Sequence, residues 1–282
     1  MVYRAQAKHN CRPRQTVQTL GEHSYAIPEV AARESTLAGK LVPIVALLLF
    51  PVTLLGTLLF SGIMFFGPTS WRHAIVSRVI PTSMKTLAKR TENQRKLLLQ
   101  HVSGRVLDVG CGGGGYMSLL KGKATHIVAL EPVTEMHHII RQQAKEAGFD
   151  DYQITILKES VEEYAASNPP ASFDWVILGN VMCEVDNQES TLRHIHKLLK
   201  NGGCVYFCEH LGAPTGSFAR SFQNMVNPWW RTVSGGCNCN RDSLHAIEGM
   251  ADWDVVSWQM NKLKVFMVPM VMGLAQKAQP MV

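Results

Sequence analysis

The feature that most constrains the fold is residues 106–115, which read Val-Leu-Asp-Val-Gly-Cys-Gly-Gly-Gly-Gly. Three apolar residues, Val106, Leu107 and Val109, surround a single acid, Asp108. The run then breaks into glycines at 110, 112, 113, 114 and 115. A short apolar run reads as a buried strand, and a glycine cluster ends it. Glycine takes positive φ without strain and puts no Cβ between the backbone and a ligand. The pattern predicts a strand turning sharply into a helix, with room for a nucleotide-like molecule against the turn and the helix N-terminus.

Two ligand classes suit that turn. Gly110-x-Gly112-x-x-Gly115 has the spacing of a dinucleotide fingerprint, a weak signal on its own. Asp108, just ahead of the first glycine, tilts the choice. A carboxylate there attracts a ligand carrying an ammonium and a sulfonium, and repels a pyrophosphate. Asp108-x-Gly110-x-Gly112 resembles motif I of the class I S-adenosylmethionine (SAM) methyltransferases. The resemblance implies SAM as cofactor, held by Asp108, Gly110 and Gly112.

The downstream pattern agrees. Thr125–Leu130 reads as a second strand ending at Glu131-Pro132. An acid at that tip, about 20 residues past the glycines, can accept hydrogen bonds from both ribose hydroxyls. Glu135–Gly148 reads as a helix, Tyr152–Leu157 as a third strand, Phe173–Leu178 as a fourth, and Ser190–Leu199 as the next helix. Cys204–Cys208 is a fifth strand, ending in Glu209-His210. By position, Ser160 and Val161 are expected against the adenine, and Asn180 against the donor. Alternating strands and helices give an α/β fold, a doubly wound, mostly parallel sheet over residues 101–282.

Ahead of this domain, residues 1–40 are polar and aperiodic and read as a flexible segment. Leu41–Phe66 then runs about 26 positions without a charge, against the roughly 20 a helix needs to cross a bilayer. Pro43 and Pro51 would kink a spanning helix, so a hairpin in one leaflet is the alternative. Arg33 and Lys40 precede the segment, whereas Arg72, Arg78, Lys85, Lys89 and Arg90 follow it. That asymmetry places the main domain in the cytosol. Residues 67–100 read as an interfacial linker and entry helix. The net charge of +6 is spread out, which reads as membrane-surface contact or ordinary solvation rather than nucleic-acid binding, and the apolar segment makes a lipid bilayer or lipid-droplet surface the expected partner. Seven cysteines, with no C-x-x-C, argue against a disulfide framework, and Cys237-Asn238-Cys239 lacks partners at zinc spacing, so no metal is expected.

Further motifs narrow the resemblance. Glu209-His210, Phe222-x-x-x-x-Asn227-Pro228-Trp229-Trp230 and Gly235-Gly-Cys-Asn-Cys-Asn-Arg241 follow the glycine turn in order. With the apolar anchor, they look like the membrane-anchored alkyl thiol S-methyltransferases of the methyltransferase-like seven group, proteins of endoplasmic reticulum and lipid droplets. The resemblance covers roughly residues 41–275. It implies methyl transfer to a small lipophilic acceptor, first of all a thiol. Residues 1–40 depart from it as an extension, and Gly113 stands where a threonine is often found. An N- or O-methyltransferase of a specialised pathway therefore stays open, as do an NAD(P) oxidoreductase and a non-catalytic SAM-binding scaffold. His210, at a strand tip with a side chain that titrates in the useful range, is the candidate base, with Glu209 to orient it. Trp229 and Trp230 suit either an apolar lid or a bilayer contact.

Overall fold

The computed structural model describes residues 91–251 throughout, most of 253–279 and parts of 55–89. The chain divides into two units, Thr16–Arg72 and the remainder. In the smaller unit, 58–66 is helical, with Leu58, Leu59, Phe65 and Phe66 exposed. Residues 1–54, which include the polar segment and most of the expected anchor, lie outside the described residues. Among the described residues, no helix is long and apolar enough to cross a membrane.

The larger unit begins with helix α1 (Glu92–Leu98). Then follow β1 (Gly104–Val109), α2 (Met117–Leu120), β2 (Ala124–Leu130), α3 (His137–Glu146), β3 (Ile154–Leu157) and α4 (Val161–Ser167). After these come β4 (Phe173–Gly179), α5 (Gln188–Leu198), β5 (Leu199–His210), α6 (Phe218–Val233) and α7 (Ser243–Glu248). The chain closes with β6 (Trp253–Val265) and β7 (Val268–Lys277). The strands form one sheet in the order β3-β2-β1-β4-β5-β7-β6. The first five are parallel, as expected, and β7 runs antiparallel to both β5 and β6.

Alternation along the strands builds a core on each face. Val106, Ile127, Trp175, Ile177 and Tyr206 pack on one side with Met117, Leu120 and Ile140 from α2 and α3. Leu107, Val128, Val176, Leu178 and Phe207 pack on the other with Tyr164, Leu192 and Ile195 from α4 and α5. Both faces are covered, which is why these strands read as near-continuous apolar runs.

Several boundaries differ from expectation for local reasons. β3 starts at Ile154 because Asp151–Gln153 forms a 3-10 turn, fixed by the reciprocal bonds of Asp150 and Gln153. α5 starts at Gln188, where the Asn187 side chain accepts from Ser190 N at 3.0 Å. β5 extends well beyond Cys204–Cys208 because it pairs with β4 from Leu199 and with β7 as far as His210. The Asn-Pro-Trp-Trp segment is the interior of α6, which continues through Pro228. Cys111, Cys183, Cys208, Cys237 and Cys239 are free thiols, whereas Cys204 is disulfide-bonded.

Candidate active site

β1 lies between β2 and β4, where the sheet order reverses, and the crevice outside the strand C-termini at such a point is the ligand site of doubly wound folds. Asp108, Glu131, Asn180 and His210 all sit at those ends, where the sequence placed them.

Asp108 is 1% exposed, and its Oδ2 has no hydrogen-bond partner among the described residues. Burial raises its carboxyl to about 7, Arg95 pulls it down and Glu131 pushes it further up. Such a group awaits a cationic or hydrogen-bond-donating ligand. Gly110 and Gly112 take φ of +57° and +53°. Space beside Gly112 is open where a Cβ would stand. Its N–H donates to Glu131 Oε2 at 2.8 Å, and Val133 N–H donates to Oε1 at 2.9 Å. Each carboxylate oxygen keeps a second lone pair for a ribose hydroxyl.

Gly110→Ala tests the turn directly. The left-handed φ costs an alanine about 1–2 kcal/mol, and its Cβ would lie 3.0 Å from Val181 Cγ2. Thermal unfolding should show a loss of that size, together with weaker binding at the crevice.

Sequence reasoning missed the far wall of the turn. Arg95, buried on α1, donates through Nη2 to Gly115 O, and its guanidinium stacks over the Tyr116 ring, 4.2 Å from the centroid. Tyr116 in turn packs on Gly179, where a Cβ would meet the ring at 2.5 Å. α1, at the end of the stretch 67–100 read as a linker and entry helix, thus braces the glycine turn.

Ser160 and Val161 carry structural duties. The Ser160 hydroxyl accepts from Glu163 N at 3.2 Å as the cap of α4, and Val161 is buried in the core. Beside them, Glu159 Oε2 is buried and lacks a hydrogen-bond partner among the described residues. Asn180 stands in the left-handed region at φ +62° and donates its N–H to Cys208 O at 2.8 Å.

Glu209 does not orient His210 as expected. Strand alternation turns it into the core, where Oε1 accepts from Val181 N at 3.0 Å and Oε2 from Met182 N at 3.1 Å. Burial raises its carboxyl to about 7 against the pull of those two N–H groups. Glu209 thus holds the loop after β4.

His210 instead faces Cys237, with Nδ1 at 3.4 Å from Sγ. Cys183, from the loop Glu209 holds, completes a cluster of three. The Cys183 hydrogen bond, with His210 beside it, draws the Cys237 thiol down to about 5 despite burial. Cys183 rises correspondingly, through its bond to Cys237 and its burial. Burial opposes the charged form of His210, but the Cys237 contact raises it on balance. Glu184 is pushed up to about 8 by burial and then by Cys237, Glu131 and Glu209. Cys239 turns elsewhere, with its N–H donating to Asn227 Oδ1 at 2.9 Å. Cys237 and Cys239 therefore do not act as a pair, and the partners of Cys237 come from distant parts of the chain.

A methyltransferase domain family model matches residues 81–257. The chain belongs to that family. This methyltransferase is 26% identical over 219 residues to the thiol S-methyltransferase TMT1B of Rattus norvegicus, covering 72% of this chain and 88% of that one. It is also 26% identical over 143 residues to the human thiol S-methyltransferase TMT1A, covering 51% and 57%. Among solved structures, a SAM-dependent methyltransferase of Leishmania major superposes with a TM-score of 0.53 at 15% identity, covering 73% of this chain and 82% of that one. The methyltransferase is SAM-dependent, and the crevice suits SAM. An unpartnered buried carboxylate oxygen on Asp108, the open glycine turn and the acid at the β2 tip would fit its cationic end, its backbone contact and its ribose.

Proposed function

We propose that this methyltransferase is membrane-bound and methylates a small lipophilic thiol. In this reading, Asp108, Gly110, Gly112 and Glu131 hold the donor, with Ser160, Val161 and Asn180 lining the crevice. SAM supplies a methyl carbon already activated by its positive sulfur, so the protein has mainly to align the acceptor and exclude water. His210 is the catalytic residue that activates the acceptor. A thiol has a reference pKa near 8.5, so a site that raises its thiolate fraction speeds the reaction.

The observation that carries the reading is the meeting of His210, at the C-terminal end of β5, with Cys183 from the loop after β4 and Cys237. The thiol S-methyltransferase relatives support the same acceptor class. His210→Ala should lower thiol turnover by about 100-fold, within the usual range for acid–base groups, and leave SAM affinity unchanged. Unchanged turnover would remove His210 from the mechanism.

Lipid attachment is supported by two apolar surfaces. Leu58, Leu59 and Phe66 are exposed on the segment 58–66. Phe218, Phe222, Met225 and Trp229, spaced along one face of α6, are exposed as well, Phe218 by 87% and Met225 by 71%. The location proposed is the endoplasmic reticulum or a lipid-droplet surface, with the catalytic domain in the cytosol. Deleting residues 41–66 should move the protein from the membrane fraction to the soluble one, and retention on membranes would refute the anchor.

A further inference from the structure

Cys183, His210 and Cys237 arrive from three separate segments: the loop after β4, the end of β5, and the connection between α6 and α7. One atom of each, two sulfurs and a ring nitrogen, lies within 4.8 Å of both others. His210 Nδ1 and Cys237 Sγ are 3.4 Å apart. A tetrahedral zinc centre with Zn–S of about 2.3 Å and Zn–N of about 2.1 Å separates such a pair by roughly 3.6 Å. The observed spacing is within a few tenths of an ångström of that value.

The geometry points to a three-ligand site for one thiophilic divalent ion, formed by Cys183, His210 and Cys237, whose fourth tetrahedral position is open to the thiol of the acceptor. Only the fourth-position claim rests on the proposed thiol function, and the three-ligand site stands without it.

The supporting shell is built in. Asn238 donates to Cys183 O through its backbone N–H at 2.9 Å and through Nδ2 at 2.8 Å, tying two ligand segments together. The Asn238 side chain is itself held, with Oδ1 accepting from Asn227 Nδ2 at 3.0 Å. Glu209 fixes the two residues before Cys183 through Val181 N and Met182 N, and Ser234 Oγ donates to Cys237 O at 3.3 Å. Outer contacts of this kind orient metal ligands. Two sulfurs and an imidazole select zinc-like ions over magnesium or calcium, which take oxygen. Two thiolates and a neutral ring balance the charge of a dication. With Nδ1 on the ion, His210 keeps its ring hydrogen on Nε2, so in the metal-loaded protein it activates the acceptor as a ligand of the ion and not as a free base. Three protein ligands with one open position is the pattern of catalytic rather than structural zinc. On coordination, the acceptor's S–H proton passes to buffer and a sulfur lone pair forms the bond to the ion, with no change in oxidation state.

The test uses full-length, detergent-solubilised protein, reduced and stripped of metal, titrated with Co²⁺ and then Zn²⁺. One cobalt per chain should bind with thiolate-to-cobalt charge-transfer absorption, and zinc should displace it. Cys183→Ser, Cys237→Ser and His210→Gln should each weaken binding by about 100-fold, while Cys239→Ser keeps it. Absence of the band, its full retention in Cys237→Ser, or a Cys183–Cys237 disulfide that re-forms and prevents loading would overturn the site. A lipophilic thiol should shift the cobalt ligand-field bands where the matched alcohol does not. If cobalt binds and the thiol leaves those bands unmoved, the open-position claim fails alone. SAM affinity, measured on the same samples, reports that each variant is folded and keeps a failure of the donor site separate.

Discussion

Asp108→Asn is expected to weaken SAM binding by about 100-fold while raising the melting temperature of the ligand-free protein. The two effects have one cause. Asp108 is buried with one oxygen unpartnered, and its carboxyl rises from the usual range near 4 to about 7. A group whose folded pKa is raised binds more protons in the folded than in the unfolded state between those two values. Its contribution to stability therefore falls as pH rises from about 4 to about 7 and stays lost above. A rise of that size corresponds to a destabilisation on the order of 4 kcal/mol at neutral pH. Asparagine keeps the shape and removes the charge, so the variant should gain most at about pH 8, about a third to a half as much at about pH 5, and little below about pH 4. The donor's cationic end loses its counter-charge in the same step. Thermal unfolding at these pH values, beside equilibrium SAM binding, checks the pair of effects. A variant that binds SAM like the parent would displace the cofactor from this turn.

Glu209→Gln is expected to be nearly as damaging as Glu209→Ala. The two carboxylate oxygens accept from Val181 N and Met182 N in a fully buried setting. Glutamine can accept one of these bonds, but its NH₂ then faces the other N–H, donor against donor. Alanine leaves both donors unmet. An unsatisfied buried donor costs about 1–3 kcal/mol, and removing a carboxylate that burial raises to about 7 offsets part of this at neutral pH, so a net loss of about 1–3 kcal/mol follows for either change. The loop that carries Asn180 and Cys183 should loosen with it, lowering turnover beyond the loss of folded protein. Denaturant unfolding gives the first quantity, and turnover per folded molecule gives the second. A fully stable Gln variant would mean that the loop is held by other contacts.

The glycine turn and the acid at the β2 tip were legible because their signals are local. A glycine turn after an apolar run fixes the bend, and a strand period followed by Glu131-Pro132 fixes the acid at the neighbouring tip. The parallel order followed from the alternation of strands and helices. Arg95 and Tyr116 gave no such signal, since Arg95 reaches Gly115 across 20 residues only once α1 has packed. Glu209 was misassigned because sequence neighbours on a strand point to opposite sides. α6 runs through Pro228, although an interior proline removes a backbone donor and crowds the preceding turn. The cysteine cluster was hidden for the same reason as Arg95. His210 and Cys237 lie 27 positions apart and meet only when the segment after β5 folds back onto the loop after β4.

The central claim is methyl transfer from SAM to a lipophilic thiol. It is tested most directly by incubating the full-length, detergent-solubilised protein with methyl-labelled SAM and matched lipophilic thiols, amines and phenols, and identifying the labelled product. The expected result is label in the thioether alone, with turnover lost in Asp108→Asn. Label in the amine or phenol products, or none in the thioether while SAM is bound, would contradict it.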